Sequence, residues 1–202
     1  RLHALAPFHA SVDQFAVFGK LVAQFGAFPI GDLLDRYAEI EAVYPRGFEH
    51  VSSHHDLKPE NLAFDGRRLL VLDWEAAFLD DRNFDLAMPA SFFVRDDTVL
   101  ERYLALYYGA PPTVGQRARF ELVRIVEHVF YAVFLAALAQ RGGAADDGAP
   151  AEGFHAFHDA LLGGLMVREP MQQLRYAKVH AAEGLRRAHS PAFVDWLSRA
   201  RD

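Results

Sequence analysis

The chain has 202 residues, is 51% hydrophobic, and carries a net charge of −6 with a pI near 5.9. That is enough apolar material for one packed domain or one large lobe of a two-lobed protein, and the acidic balance argues against a nucleic-acid partner, because phosphate backbones demand a basic face. There is no cysteine, which removes disulfides and thiolate metal sites and fits a cytoplasmic protein.

The first stretch lacks the continuous apolar core of a secretory leader. It begins at Arg1 rather than Met, as a fragment or processed product would. Ser11 followed by Gln14 reads as a capping box, with Val12, Phe15, Val22 and Phe25 at helical spacing behind it. A second helix is expected from Asp32 to Val43, with Leu33, Leu34, Tyr37 and Ile40 on one face and Pro45 and Gly47 as its stop. The pattern then changes. Two short apolar runs, Asn61–Phe64 and Arg68–Trp74, flank Asp65-Gly66, a strong hairpin signal. The expectation is a loop, a short strand, a tight turn and a second strand ending at Asp73.

Helical spacing returns over Asp85–Phe93, over Thr98–Tyr108 with Leu100, Tyr103, Leu104 and Tyr107 in phase, and over Gln116–Gln140 with Leu122, Ile125, Val126, Val129, Phe130 and Val133 on one face. The longest apolar run, Val129–Ala139, is too short to span a bilayer and follows Glu127 and His128, so no membrane partner is expected. Residues 141–153 form a flexible connection by composition. Helices resume from Phe154 and from Pro170 to Arg187. Ser190-Pro191 opens a last one, with the serine as cap and the proline in the first turn. No internal repeat and no splitting hinge is visible, so 1–202 reads as one domain, mostly α-helical within an α+β class.

The polar residues of the middle segment carry the chemistry. Asp56 precedes the first strand, Asn61 follows five residues later, and Asp73 lies where the second strand ends. A hairpin brings those ends together. Two carboxylates and an amide oxygen are hard ligands of the kind Mg²⁺ prefers, with phosphate oxygens completing the shell. Lys58 adds positive charge. Such a set suits phosphoryl transfer, which needs positioning and charge neutralisation more than covalent chemistry.

His54-His55-Asp56-Leu57-Lys58-Pro59-Glu60-Asn61 resembles the catalytic loop of the kinase-like superfamily, H-x-D-x-x-x-x-N, at the same spacing. Val71-Leu72-Asp73-Trp74-Glu75 occupies the place of the D-F-G segment. Phe84-Asp85-Leu86-Ala87 and Leu2-His3-Ala4-Leu5 resemble segments of the aminoglycoside phosphotransferase and choline kinase family. Between Asp73 and Asp85 lie residues 74–84, eleven positions, which leave no room for a peptide-docking platform and point to a small-molecule kinase.

The resemblance implies the C-terminal lobe of a protein-kinase-like fold with a short β-hairpin at the catalytic loop. It also implies an ATP- and Mg²⁺-dependent transfer of the γ-phosphate to a hydroxyl of a small, amine-bearing molecule. In that reading Asp56 orients the hydroxyl and accepts its proton, Lys58 sits near the moving phosphoryl group, and Asn61 and Asp73 hold Mg²⁺ between the nucleotide phosphates. Glu75 assists a second metal or the substrate, His54 braces the loop against the Asp73 segment, and Asp85 hydrogen-bonds the loop backbone. A plain helix cap is the bland alternative for Asp85.

The nucleotide-binding lobe is missing from this reading. The lysines are Lys20, Lys58 and Lys178, none of them on a strand ahead of the loop, and no glycine-rich phosphate loop sits between strands. The chain is therefore expected to be an N-lobe short of a whole enzyme and inactive by itself. Two rivals stand beside this reading: a non-catalytic kinase-lobe binding or regulatory module, and a zinc hydrolase built on His50, His54, His55 and Asp56. The aromatics Tyr107, Tyr108, Phe130, Tyr131, Phe134 and Trp196 read first as core, and second as a box for a quaternary amine. Glu121, Glu127 and Asp159 read first as solvated helix positions, and second as the lining of a cationic pocket.

Overall fold

The computed structural model describes residues 2–25, 30, 32–46 and 50–202. Gly47, an expected helix stop, lies outside the described residues. The chain groups into two compact units. One takes in Arg1–Gln14, Val43–Arg124 and Asp195–Asp202, the other Phe15–Ala42 and Ile125–Val194. The divisions fall inside helices rather than in a linker, so the sequence offers no composition shift to mark them.

In the first unit, two small antiparallel ladders frame the loop. Strand β1 (His50–Ser53) pairs with the strand Phe78–Asp81, with His50 opposite Asp81 and Ser53 opposite Phe78. Between them in the chain lies a hairpin of β2 (Leu62–Phe64) and β3 (Leu69–Val71), with Leu62 opposite Val71; the strand Phe78–Asp81 is then β4. The turn works as its sequence suggests. Gly66 takes φ +92°, and the Asp65 carboxylate accepts from the backbone N–H groups of Arg67 and Arg68 at 2.8 and 2.7 Å. Beyond β3 the pairing continues for one more bond, Leu72 N–H to Asn61 O at 2.9 Å.

Helix α1 spans Gln14–Phe25 and α2 spans Leu33–Val43. The expected capping box at Ser11 does not form. Ser11 donates its hydroxyl to Leu79 O, Leu79 N–H donates to Ala10 O, and the N–H of Gln14 is taken by the Asp80 carboxylate at 3.2 Å. A tertiary partner supplies what a local cap would have supplied. Helix α3 (Arg82–Phe93) begins three residues before the expected Asp85, because Asp81 is the cap and accepts from Asn83 N–H at 2.8 Å. Helix α4 (Asp97–Tyr108) is capped by Asp96 and closed by Gly109 at φ +74°, with Leu100 and Leu104 buried.

Helix α5 runs through Val114–Arg141, 28 residues. It is long and apolar enough to cross a bilayer by length and composition, although the apolar run inside it is not. Most of its apolar stretch is buried inside the structure, as in the central helix of a packed core.

The second unit is helical. Helix α6 spans Phe154–Leu162 and α7 spans Pro170–Ala188. The start of α7 is a reciprocal capping box between Glu169 and Gln172, with Pro170 at the first helical position. Gly184 of α7 lies against His128 and Leu33, where an added Cβ would stand 3.1 Å from each. The connection expected to be flexible does lack regular structure over 144–153, yet Lys178 ties it to α7 through Asp146, Asp147 and the carbonyl of Ala149. Helix α8 spans Phe193–Arg199; Ser190 and Pro191 sit in the turn before it, with Ser190 Oγ accepting from Ala192 N–H at 3.2 Å.

Candidate active site

Asp56 lies three residues beyond the end of β1. Its Oδ2 accepts from the Lys58 ammonium at 2.6 Å and from the Asn61 amide at 2.8 Å, and the same amide also reaches Asp56 O at 2.9 Å. Both side-chain donors land on Oδ2. The carboxylate is thus fixed through one oxygen, while Oδ1 takes neither bond. The short turn Pro59–Asn61 brings Lys58 and Asn61 back onto Asp56.

The loop is held from behind. The backbone N–H groups of His54 and His55 donate to Asp85 Oδ1 at 3.0 and 2.7 Å, and His54 N–H also reaches Oδ2 at 2.8 Å. Asp85 lies in the first turn of α3 and is buried. Burial pushes its carboxyl up, but the bonds from His3 and from the two backbone N–H groups outweigh this and hold it below the usual range. His54 is fully buried. Its Nε2 meets Leu72 O at 2.8 Å, and only an N–H can meet a carbonyl, so Nδ1 is the atom that accepts from Asp56 N–H at 3.2 Å. One ring therefore links the loop to the strand end before Asp73.

Asp73 takes a left-handed backbone, φ 60° and ψ 72°, and stands at the cap position of the turn Trp74–Ala76 without capping it. A non-glycine residue in that region costs about 1–3 kcal/mol, and such residues cluster at active sites and ligand clamps. The carboxylate is exposed, as is that of Glu75. At the open end of the hairpin the Leu72–Asn61 bond holds Asn61 beside the residue that precedes Asp73. Asn61 commits its amide nitrogen to Asp56, so its carbonyl oxygen is the atom with which it would meet a metal. The donor set of Asp73, Asn61 and Glu75 is all hard oxygen. Mg²⁺ asks for only one or two protein carboxylates, taking the rest from water and phosphate, so these residues fit it.

They do not fit zinc. Both nitrogens of His54 are spent on the backbone, His50 lies on β1 at the surface, and no three His, Asp or Glu residues gather as a metal cluster among those described. The zinc expectation is corrected on that ground.

Beneath the loop lies a pair that no sequence pattern announces. His55 also has a left-handed backbone, φ 63°, and its ring stacks on Phe78 with centroids 3.9 Å apart. Its Nε2 lies 3.9 Å from Asp80. Burial lowers His55 to about 4 and raises Asp80 to about 7. Between those values the pair is uncharged, which suits its buried place under the loop.

The aromatic residues expected as core or as an amine box divide between the two units. Phe130 stacks on Phe18 and Phe134, and Tyr131 stacks on His180, all in the second unit. Tyr107 hydrogen-bonds His3 in the first. Glu121 is bonded to Arg117 and Arg124 rather than left to a cationic ligand.

A helical body with a strand-flanked loop, whose aspartate is pinned by a lysine and an asparagine, has a kinase-like fold. The model of the phosphotransferase enzyme family matches residues 6–120, more than half of the chain, and the chain belongs to that family. A crystal structure of a choline/ethanolamine kinase family protein from Mesorhizobium loti is similar to it, with a TM-score of 0.71 at 18% identity, over 99% of this chain and 62% of that one. A spectinomycin phosphotransferase, APH(9)-Ia, in complex with ADP and spectinomycin, is similar at a TM-score of 0.42 and 16% identity, over 96% of this chain and 50% of that one. The chain thus spans less than two thirds of either solved protein. No curated protein sequence matches it.

Proposed function

We propose that this chain is the C-terminal lobe of an ATP- and Mg²⁺-dependent kinase that phosphorylates a hydroxyl of a small, amine-bearing molecule in the cytoplasm. The observation that carries this is the Asp56 carboxylate, held on Oδ2 by Lys58 and Asn61 beside the open end of the hairpin, where Asp73 leaves it. Asp56 orients the acceptor hydroxyl through its other oxygen and takes the proton late, since a carboxylate is a weak base. Lys58 leaves Asp56 for the transferred phosphoryl group when substrate arrives. Asn61 and Asp73, with Glu75 beside them, would hold Mg²⁺, whose part is to neutralise charge on the nucleotide phosphates. His54 and Asp85 keep the loop in register.

Supporting the separate nucleotide lobe are the 62% coverage of the choline/ethanolamine kinase family protein and the apolar side chains left exposed on and after the hairpin. Phe64, Leu69, Leu70, Leu72 and Trp74 are all exposed, and several large apolar side chains left in water on one short segment favour an interaction surface.

The test is phosphate transfer from Mg-ATP to a panel of amino alcohols, by the full-length protein that contains this chain. Asp56→Asn should lower kcat by about a thousandfold or more while the melting temperature stays put. Turnover unchanged in that variant would defeat the catalytic reading and favour a binding module.

A further inference from the structure

Resting on that reading, we propose that Asp80 is a positioning residue that acts through His55. With its proton on, it lets the His55 ring lie flat beneath the loop and Asp56 keeps its place. Once ionised, it draws that ring toward itself and displaces Asp56, so phosphoryl transfer slows as pH rises.

The two side chains face each other without bonding. His55 Nε2 lies 3.9 Å from Asp80 Oδ2, beyond hydrogen-bond reach, and the side chains are 2% and 7% exposed. Among the described residues neither ring nitrogen of His55 has a hydrogen-bond partner. The ring is held by its neighbours instead. It stacks on Phe78 with planes 17° apart, and lies tilted 5.7 Å from Phe84. Phe78 and Asp80 are two apart on β4, so one face of the strand offers both the stacking ring and the carboxylate. His55 is also the residue before Asp56, and its left-handed backbone persists only because the surroundings hold it. Two holds are visible: its N–H on Asp85 at 2.7 Å and its ring on Phe78. A ring that leaves Phe78 releases one of them, directly beside Asp56.

The surroundings make charge on Asp80 costly. Burial raises its carboxyl to about 7; the N–H groups of Asp81 and Gln14 oppose this, and the carboxylates of Asp81 and Asp13 add to it. Asp13 is itself turned to Arg46 at 2.8 Å, and opposite Asp80 on β1 stands the uncharged Val51. Around His55 stand Asp85 of α3, His54 of the loop and His3 of the first turn. Burial lowers His55 to about 4, with Asp85 opposing and the two histidines adding to the fall. As pH passes about 7, Asp80 therefore becomes charged beside an imidazole that stays neutral. A neutral imidazole still carries one N–H, and a buried carboxylate calls for donors. Its Oδ2 already takes the N–H of Gln14 at 3.2 Å, and that same oxygen faces His55 Nε2. An inward move of about 1 Å completes a hydrogen bond between them. That move carries the ring off Phe78. Asp80 and His55 touch no reacting atom in this arrangement; they act through the backbone that enters Asp56.

The experiment follows kcat against pH in the full-length protein that contains this chain, as wild type, Asp80→Asn and His55→Phe. Asn keeps the shape of the protonated acid and never ionises; Phe keeps the stack and has no N–H to offer. Wild-type kcat should fall about tenfold from about pH 6 to about pH 8.5, as one deprotonation, with KM for ATP and acceptor changed less than about twofold, the cost of misplacing a catalytic group by a fraction of an ångström. Both variants should keep the low-pH kcat throughout and lose the fall. A wild-type fall that persists unchanged in Asp80→Asn overturns the proposal, as does a wild-type profile with no fall. The ring nitrogens of His55, followed by NMR with labelled histidine, give a readout that needs no turnover. Their shifts should move with one titration near pH 7 in wild type and stay still in Asp80→Asn; shifts that move alike in both also overturn it. If the wild-type protein transfers no phosphate at all, the functional reading falls, and the ring titration alone decides whether Asp80 moves His55.

Discussion

Two regions of this molecule bury histidines and use them differently. Around β1 and α3, His54 has both nitrogens on the backbone, and Asp85 collects N–H groups from His54, His55 and His3. There the polar atoms fix where the chain goes. Among α5, α6 and α7, His128 and His180 share a contact between their Nδ1 atoms at 3.0 Å, while His158 bonds Phe154 O and the Tyr176 hydroxyl. Tyr131 stacks on His180 and Phe154 stands edge-on to His128. There the rings fill space as aromatics do. Burial is what acts most on His180, then the neighbouring His158, and both push it well below its ordinary value. On α3 the buried Asp85 turns imidazole and backbone N–H groups into a positioning device, whereas at His180 burial among rings holds an imidazole neutral.

Asp85→Ala breaks the first region most severely. It leaves buried N–H groups without an acceptor, and should cost about 3 kcal/mol in urea unfolding together with most of the activity. A loss under about 1 kcal/mol would mean the loop is held by something else.

The next largest effect separates the regions by pH. His180 is depressed in the fold, so the unfolded chain binds a proton that the folded chain refuses as pH falls below about 6.5. Its stabilising contribution is whole above that pH and is lost on acidification. Asp85 is also depressed, but from a carboxylate value, so its contribution survives until pH falls below about 4. His180→Leu should flatten the fall in stability between pH 6.5 and 5 by about one proton and leave the fall below pH 4 intact. An unchanged slope would show that His180 takes up its proton in the folded state.

The smallest expected effect tests packing in the histidine cluster. Gly184→Ala gains about 1 kcal/mol in helix propensity but drives a Cβ to 3.1 Å from His128 and Leu33. Overpacking costs about 1–3 kcal/mol, so a net loss of about 1 kcal/mol is expected in thermal unfolding. A gain would show that α7 has room to move outward.

Part of the fold and of the site is legible in the amino-acid order. The spacing of Asp56, Asn61 and Asp73 is local, and Asp65-Gly66 turns the chain back with its own side chain, so the hairpin can be read from a few adjacent residues. The helices α2, α4 and α5 follow from apolar periodicity. Ser11 misleads because its hydroxyl finds Leu79, distant in sequence, and does not cap α1. Asp85 resembles a helix start because capping and burial both favour aspartate, while Asp81 does the capping. The His55–Asp80 pair and the reach of His3 to Asp85 and Tyr107 have no sequence signal, since their partners lie on separate elements.

By itself the sequence determined the chemistry on offer: an aspartate, a lysine, an asparagine and a second aspartate at family spacing, on a chain rich enough in apolar residues to bury a core. Those are properties of residue identity and of neighbours within one turn or one hairpin. Tertiary structure alone decided which atoms are free to act. It put Lys58 and Asn61 on one oxygen of Asp56, buried Asp85 under the loop, and brought His3 across to it, because hydrogen bonds between distant segments are set only once the strands and helices that carry them have packed.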